Sequence, residues 1–395
     1  MKKYKGHEKK VSLVQHQGIF RRQISLWEGV ALILGGTVGA GVLGIPFAVA
    51  KVGIGYGLIY ILSIGLLMMG LNLLVGEVAI RTGQNLQIVG FAYKYLGKFG
   101  GRIMSCLVYV VGLAILVIYI IGEGETLSVL FGGSAFKWSL IFWLLGSFLI
   151  LVGMRTVKKV ELFLTLGILT VVLFIVLISV PHLEYDHLKY SSLASLLLPY
   201  GVILFAFSGM SAIPEAYSIL SNQKINFKKA IIIAGVLSII IYSLFTFIVV
   251  GVTGAGTSEI ATIGLGEKVG GIIFYLGNIF AILAMGTSFL LGGLALRDSL
   301  RWDLKMNYSL STSITCIVPL ILFLLGVRNF IATIDIAGGV FMSLQMILLL
   351  LIYWKAKQKG ELQLGKYRLH HTVLLIALLF LALSIGAVYS VVKIF

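Results

Sequence analysis

Charge is what this sequence has least of. Only 12% of its 395 residues are charged, against 59% hydrophobic. A soluble domain carries roughly 25% charged and 45–50% apolar residues. With a mean hydropathy of +1.05 and no long polar block, an ordinary globular enzyme is excluded. Histidine is missing from every long apolar run: His7, His16, His182, His187, His370 and His371 all fall in loops or tails. That excludes a histidine relay. The runs also lack paired aspartates and any Ser/His set, so a membrane-embedded enzyme is not expected. The two cysteines, Cys106 and Cys316, lie inside apolar segments and offer neither a metal spacing nor a disulfide framework. Residues 1–26 have no apolar core of the signal-peptide kind and read as a cytoplasmic tail.

What the chain does have is apolar runs longer than about 18 residues. There are eleven: 27–50, 54–80, 103–130, 138–154, 160–180, 194–220, 230–254, 269–296, 308–326, 330–354 and 372–394. None alternates as a strand would, and backbone groups in lipid must be satisfied within the segment. The expectation is an all-α polytopic membrane protein of eleven helices.

The cations orient it. The tail holds seven (Lys2, Lys3, Lys5, Lys9, Lys10, Arg21, Arg22). Alternate segments after it hold Arg81, Lys94, Lys98 and Arg102; Arg155, Lys158 and Lys159; Lys224, Lys228 and Lys229; Arg297, Arg301 and Lys305; and Lys355, Lys357, Lys359, Lys366 and Arg368. The intervening segments hold one each: Lys51, Lys137, Lys189, Lys268, Arg328 and Lys393. This bias places the N-terminus in the cytoplasm and the C-terminus outside a plasma membrane. It also accounts for the net charge of +16 without nucleic acid. The lipid bilayer is the expected surrounding, and a monomer or weak oligomer the expected state.

Two runs are interrupted. The first contains Gly35, Gly36, Gly39, Gly41, Gly44 and Pro46; the sixth contains Ser208-Gly209-Met210-Ser211-Ala212-Ile213-Pro214-Glu215. Glycine costs about 1 kcal/mol per helical site relative to alanine, and proline removes a ladder hydrogen bond. Gly41 to Pro46 aligns with Gly209 to Pro214 as Gly-x-x-small-Ile-Pro, five runs further on. An odd offset sets the copies in opposite membrane orientations. Paired interrupted spans at matching places in two inverted halves are the mark of a secondary transporter's binding site. The plainer alternative is that these glycines only let helices pack closely. Five-helix halves are expected at 27–180 and 194–354, then a cytoplasmic loop 355–371 and an eleventh helix in 372–395. Half-helix N-termini suit a carboxylate, and half-helix C-termini or free carbonyls suit a cation. A zwitterionic amino acid meets both.

Through Gly36-Thr37-Val38-Gly39-Ala40-Gly41-Val42-Leu43-Gly44-Ile45-Pro46 the chain resembles the amino acid/auxin permease and hydroxy/aromatic amino acid permease families. Supporting stretches are Glu77-Val78 through Tyr95-Leu96-Gly97, Tyr119 through Glu125, and Phe205 through Gly209 with Ile213-Pro214-Glu215. Both families belong to the amino acid–polyamine–organocation superfamily. The resemblance implies the leucine-transporter-type fold: a 5+5 inverted repeat with broken helices 1 and 6, and alternating access around an amino acid site. It implies that the backbone of Thr37, Gly39, Ala40 and Gly41 meets the substrate carboxylate. The carbonyls of Phe207, Ser208 and Gly209 would meet the amino group, with Ser211 beside them and Tyr119 closing the pocket. Tyr119 reads equally well as a tyrosine of the interfacial belt.

For a coupling ion, Ala284, Thr287 and Ser288 form the Ala-x-x-Thr-Ser pattern of sodium-coupled relatives. Gly35 and Val38 have the spacing for two further carbonyls. Sodium is the one metal expected, and no cofactor beyond Na+ or H+. The hydroxyls equally suit bonding back to their own helix. Glu77, Glu215 and Asp335 are the acids read as gate or proton candidates, with a salt bridge to a loop cation as the alternative. The function that follows is secondary active amino acid transport by ion-coupled symport, with a sensor or exchanger of the same fold as the alternative. Valine at Gly39 or Gly41 is expected to abolish uptake while leaving expression intact.

Overall fold

The computed structural model describes residues 26–153, 167, 170–220, 224–359, 369 and 372–393. The N-terminal tail up to residue 25, the first part of the fifth run and most of the loop 355–371 lie outside the described residues. Among those described, every regular element is helical.

The first run divides into α1 (Leu26–Thr37) and α2 (Gly41–Val52), bent by 57°. The irregular stretch is shorter than the glycine pattern suggests. Helix resumes at Gly41 and continues through Gly44 and Pro46, because burial of nearly every α2 side chain holds the segment helical despite proline's missing N–H. α3 (Ile54–Thr82) ends on Gly83 in the left-handed conformation, φ 64°. α4 (Ile88–Phe131) begins well before the expected 103. Its first turns form a separate helix joined to the span at Gly97, whose φ of 73° only glycine adopts freely.

α5 is Ala135–Val152 and α6 Thr170–His182. The sixth run divides like the first, into α7 (Tyr200–Ala206) and α8 (Ala212–Leu220). α9 (Lys224–Thr253), a short α10 (Ala261–Val269) and α11 (Gly271–Asp303) follow. α12 (Tyr308–Leu324) and α13 (Phe330–Ile336) start on asparagine caps, Asn307 accepting from Leu310 N at 2.7 Å and Asn329 from Ala332 N at 2.6 Å. The tenth run is not uniform: a π-helical turn, Ala337–Met342, separates α13 from α14 (Ser343–Lys359). α15 is Thr372–Val392.

Seven of the described helices are long and apolar enough to cross a membrane alone, eight with the bent α1–α2 pair; α6 and α12 are shorter and apolar. Large side chains such as Phe148, Leu173, Phe380 and Val388 are exposed on the outside of the bundle, as lipid-facing positions require. The interior holds the broken helices: α2 and α7 are buried almost throughout.

Candidate functional site

The two breaks lie against each other. A Cβ placed on Gly41 would stand 2.5 Å from the Ala206 Cα, and one on Gly36 2.7 Å from the Ala212 Cβ. Glycine is needed at both places for the backbones to approach. Gly209 abuts the Thr37 side chain in the same way. The interrupted segments predicted at matching places in the two halves thus pack against each other.

Free backbone groups collect at the first break. Val38 N still bonds the Leu34 carbonyl at 2.7 Å, and Val42 N and Leu43 N bond the Gly39 and Ala40 carbonyls. Among the described residues the amides of Gly39, Ala40 and Gly41 have no backbone acceptor, and the carbonyls of Gly35, Gly36 and Val38 have no backbone donor. No side chain caps α2. A helix N-terminus carries roughly half a positive charge and a C-terminus half a negative one. Both poles therefore stand within one stretch of chain. The second break is tighter. Ser208 N bonds Phe205 O, Gly209 N bonds Phe207 O at 2.9 Å, and Ala212 N bonds Gly209 O. The Ser208 carbonyl accepts no backbone bond among the described residues.

Tyr242 on α9 ties the breaks together, and the sequence reading does not include it. Its hydroxyl lies 3.0 Å from the Thr37 carbonyl and 2.8 Å from the Ala206 carbonyl, with one proton to donate between them. Its ring meets Phe207 edge-on at 4.8 Å. The signal available was only a tyrosine in an apolar run.

Of the expected substrate residues, Gly39, Thr37 and Ser208 are half-buried, Ala40, Gly41, Phe207 and Gly209 buried, and Ser211 exposed. Tyr119 is 7% exposed, which sets it inside the bundle and not in the interfacial belt. A Cβ on Gly39 would lie 3.7 Å from its hydroxyl, with nothing nearer. The same hydroxyl pairs with Ser288, so α4 and α11 meet beside the first break. The Thr287 hydroxyl donates to the Leu283 carbonyl at 2.7 Å, within its own helix. It also reaches the Ala284 carbonyl at 3.3 Å, so Thr287 shows the bonding back to its own helix that stood as the alternative to ion binding.

The candidate acids separate. Glu77 is fully buried and taken up by donors: Arg81 Nη2 at 2.6 Å and Nε at 2.8 Å, Tyr353 Oη at 3.2 Å and Leu369 N at 3.1 Å. It clamps α3 to α14 and to the segment before α15. Asp335 pairs with Lys393 at 2.6 Å, not with Arg328, whose guanidinium bonds the Phe323 and Leu324 carbonyls. Glu215 is exposed in the first turn of α8. The three are not brought together. Two further acids inside a span, Glu123 and Glu125 of α4, were not among the candidates. They sit in the Tyr119–Glu125 stretch, inside the run 103–130.

The description "tryptophan/tyrosine permease family" matches residues 22–390. Tyrosine-specific transport system 1 of Haemophilus influenzae is 26% identical over 356 residues, covering 84% of this chain and 88% of that protein. Glutamine transporter 2 of Aliivibrio fischeri is 25% identical over 354 residues, 84% and 90% covered. Among solved structures, MhsT in complex with L-phenylalanine superposes with a TM-score of 0.67 at 14% identity, over 93% of this chain and 98% of that one. A manganese transporter of Eremococcus coleocola gives 0.68 at 15% identity, over 96% and 91%. The likeness in structure establishes the fold, which is of the leucine-transporter type. The relatives in sequence are permeases and transporters, not enzymes.

Proposed function

This chain belongs to the tryptophan/tyrosine permease family, and we propose from that premise that it moves a neutral amino acid across the plasma membrane by ion-coupled symport. The observation that carries the reading is the uncapped α2 N-terminus set beside free carbonyls of α1. The substrate carboxylate occupies the amides of Gly39, Ala40 and Gly41 beside Thr37. Its amino group meets the carbonyls around Phe207, Ser208 and Gly209, near Ser211, and Tyr119 covers it. Phe207 and Tyr242 supply an aromatic wall, which favours an apolar or aromatic side chain. The names of the sequence relatives, tyrosine-specific and glutamine transporters, agree with a neutral substrate.

The coupling ion is Na+ or H+. Sodium would take Gly35, Val38, Ala284, Thr287 and Ser288; a proton would take a buried carboxyl. In alternating access, the halves 27–180 and 194–354 rock about the paired breaks. The N-terminus is cytoplasmic and the C-terminus outside, as the cation bias requires. The Glu77–Arg81–Tyr353 clamp then lies on the cytoplasmic side, where it holds that face closed.

Uptake of labelled tyrosine, tryptophan, phenylalanine and glutamine into proteoliposomes tests this, with sodium and proton gradients imposed separately. Accumulation above the external concentration under one gradient is the expected result. Saturable binding with no flux would establish a sensor instead, and exchange without accumulation an exchanger.

A further inference from the structure

Among the described residues, Glu123 is a fully buried acid in the protein's interior. It is 0% exposed; neither carboxyl oxygen has a hydrogen bond of ordinary geometry, and the nearest polar group is the Gly286 backbone. A lone buried carboxylate is costly enough that such a group neutralises instead. Native proteins satisfy nearly all buried polar atoms, so an orphaned carboxyl calls for a function.

Its surroundings point to one. A Cβ on Gly286 of α11 would stand 3.1 Å from Glu123 Oε1 and 3.8 Å from Phe142 of α5. Gly286 and Met285 are the two residues between the Ala284 and Thr287–Ser288 positions of the candidate ion motif. One turn back on α4, about 6 Å along the axis, Tyr119 bonds Ser288 and borders Gly39. Glu123 thus stands one helical turn from the amino acid site, where α4 and α11 touch. Two residues on, half-buried Glu125 lies within the field of Glu259, which accepts from Asn329 Nδ2 at 2.8 Å and Ile331 N at 3.2 Å.

Among the described residues no ion pair reaches Glu123. The described neighbour of its carboxyl is Gly286 on α11, with Phe142 of α5 on the other side of that glycine; on α4 the titratable group one turn away on the same face is Tyr119. Charged groups on the helices around α4 are engaged elsewhere. Arg297 pairs with Asp298, Asp335 with Lys393 and Glu77 with Arg81, while Lys137 sits in the first turn of α5.

We propose that Glu123 is the proton-binding site of the transport cycle, a reading that rests on the function proposed above. With α4 and α11 packed as here, the carboxyl is neutral and carries one proton. When α11 moves away from α4 and water enters, the O–H bond breaks and the proton leaves to that water. The carboxylate left behind takes up one proton from the opposite side before α4 and α11 can close again. One proton crosses per cycle, with the amino acid.

Glu123→Gln fixes the neutral form and tests this. In wild-type proteoliposomes an inward proton gradient should accelerate uptake at least tenfold, and added substrate should alkalinise the outside. In Glu123→Gln both effects should fall to background, while counterflow between preloaded and external substrate continues. Glu123→Asp should restore gradient-driven uptake with a displaced pH profile, which a merely structural role would not produce. Gradient-driven uptake by Glu123→Gln with an unchanged pH profile overturns the proposal. So does wild-type uptake driven by sodium alone with no proton movement, although the transport function would stand. A wild-type protein with neither uptake nor counterflow would instead overturn the transport function.

Discussion

Gly39 and Gly41 look interchangeable in the sequence, and the structure separates them. A side chain at Gly41 runs into the Ala206 backbone, whereas one at Gly39 meets only the Tyr119 hydroxyl at 3.7 Å. Valine at Gly41 therefore disturbs the contact between the breaks, against the expectation that expression stays intact. Gly39→Ala should leave the melting temperature in detergent unchanged and weaken substrate binding at least tenfold, because its methyl group occupies the substrate's place. Gly41→Ala should lower the melting temperature. Equal melting and equal binding in the two variants would remove the distinction. The sequence could mark both glycines as helix-breaking, but which one packs against Ala206 and which stays open depends on a contact more than 160 residues away. Glu123 falls inside the run 103–130 and was open to a sequence reading; what only the structure supplies is its burial against α11 at Gly286.

At the scale of elements, the two broken helices were legible because glycine and proline act locally. Their exact limits were not, because burial holds Gly41 to Pro46 helical against its propensity. The π-helical turn at Ala337–Met342 carried no pattern of its own; Gly338 lies against the Gly201 carbonyl of α7, and that packing shapes it. Tyr242 is the element-level link that no motif revealed. Its hydroxyl serves the Thr37 and Ala206 carbonyls at once, and a buried carbonyl left without a donor costs about 1–3 kcal/mol. Tyr242→Phe keeps the ring against Phe207 and removes only the hydroxyl. It should destabilise the protein by about that amount, read as a lower melting temperature, and should slow uptake. An unchanged melting temperature would mean that the hydroxyl does not join the breaks.

Over the whole molecule, the scarcity of charge dictates a bilayer, and the bilayer dictates helices. Those helices can be interrupted only where the interruption is enclosed. The chain interrupts two of them, sets the breaks together in the interior and leaves amides and carbonyls there without backbone partners. On the function proposed above, those groups take a solute with a negative and a positive group a few bonds apart. Competition binding with blocked substrates tests this most directly, on purified protein with labelled tyrosine as the probe. The account predicts that the free amino acid competes, while its amide and its N-acetyl derivative each lose at least tenfold in affinity. If either derivative competes as well as the parent, the breaks do not hold the zwitterion and the account is contradicted.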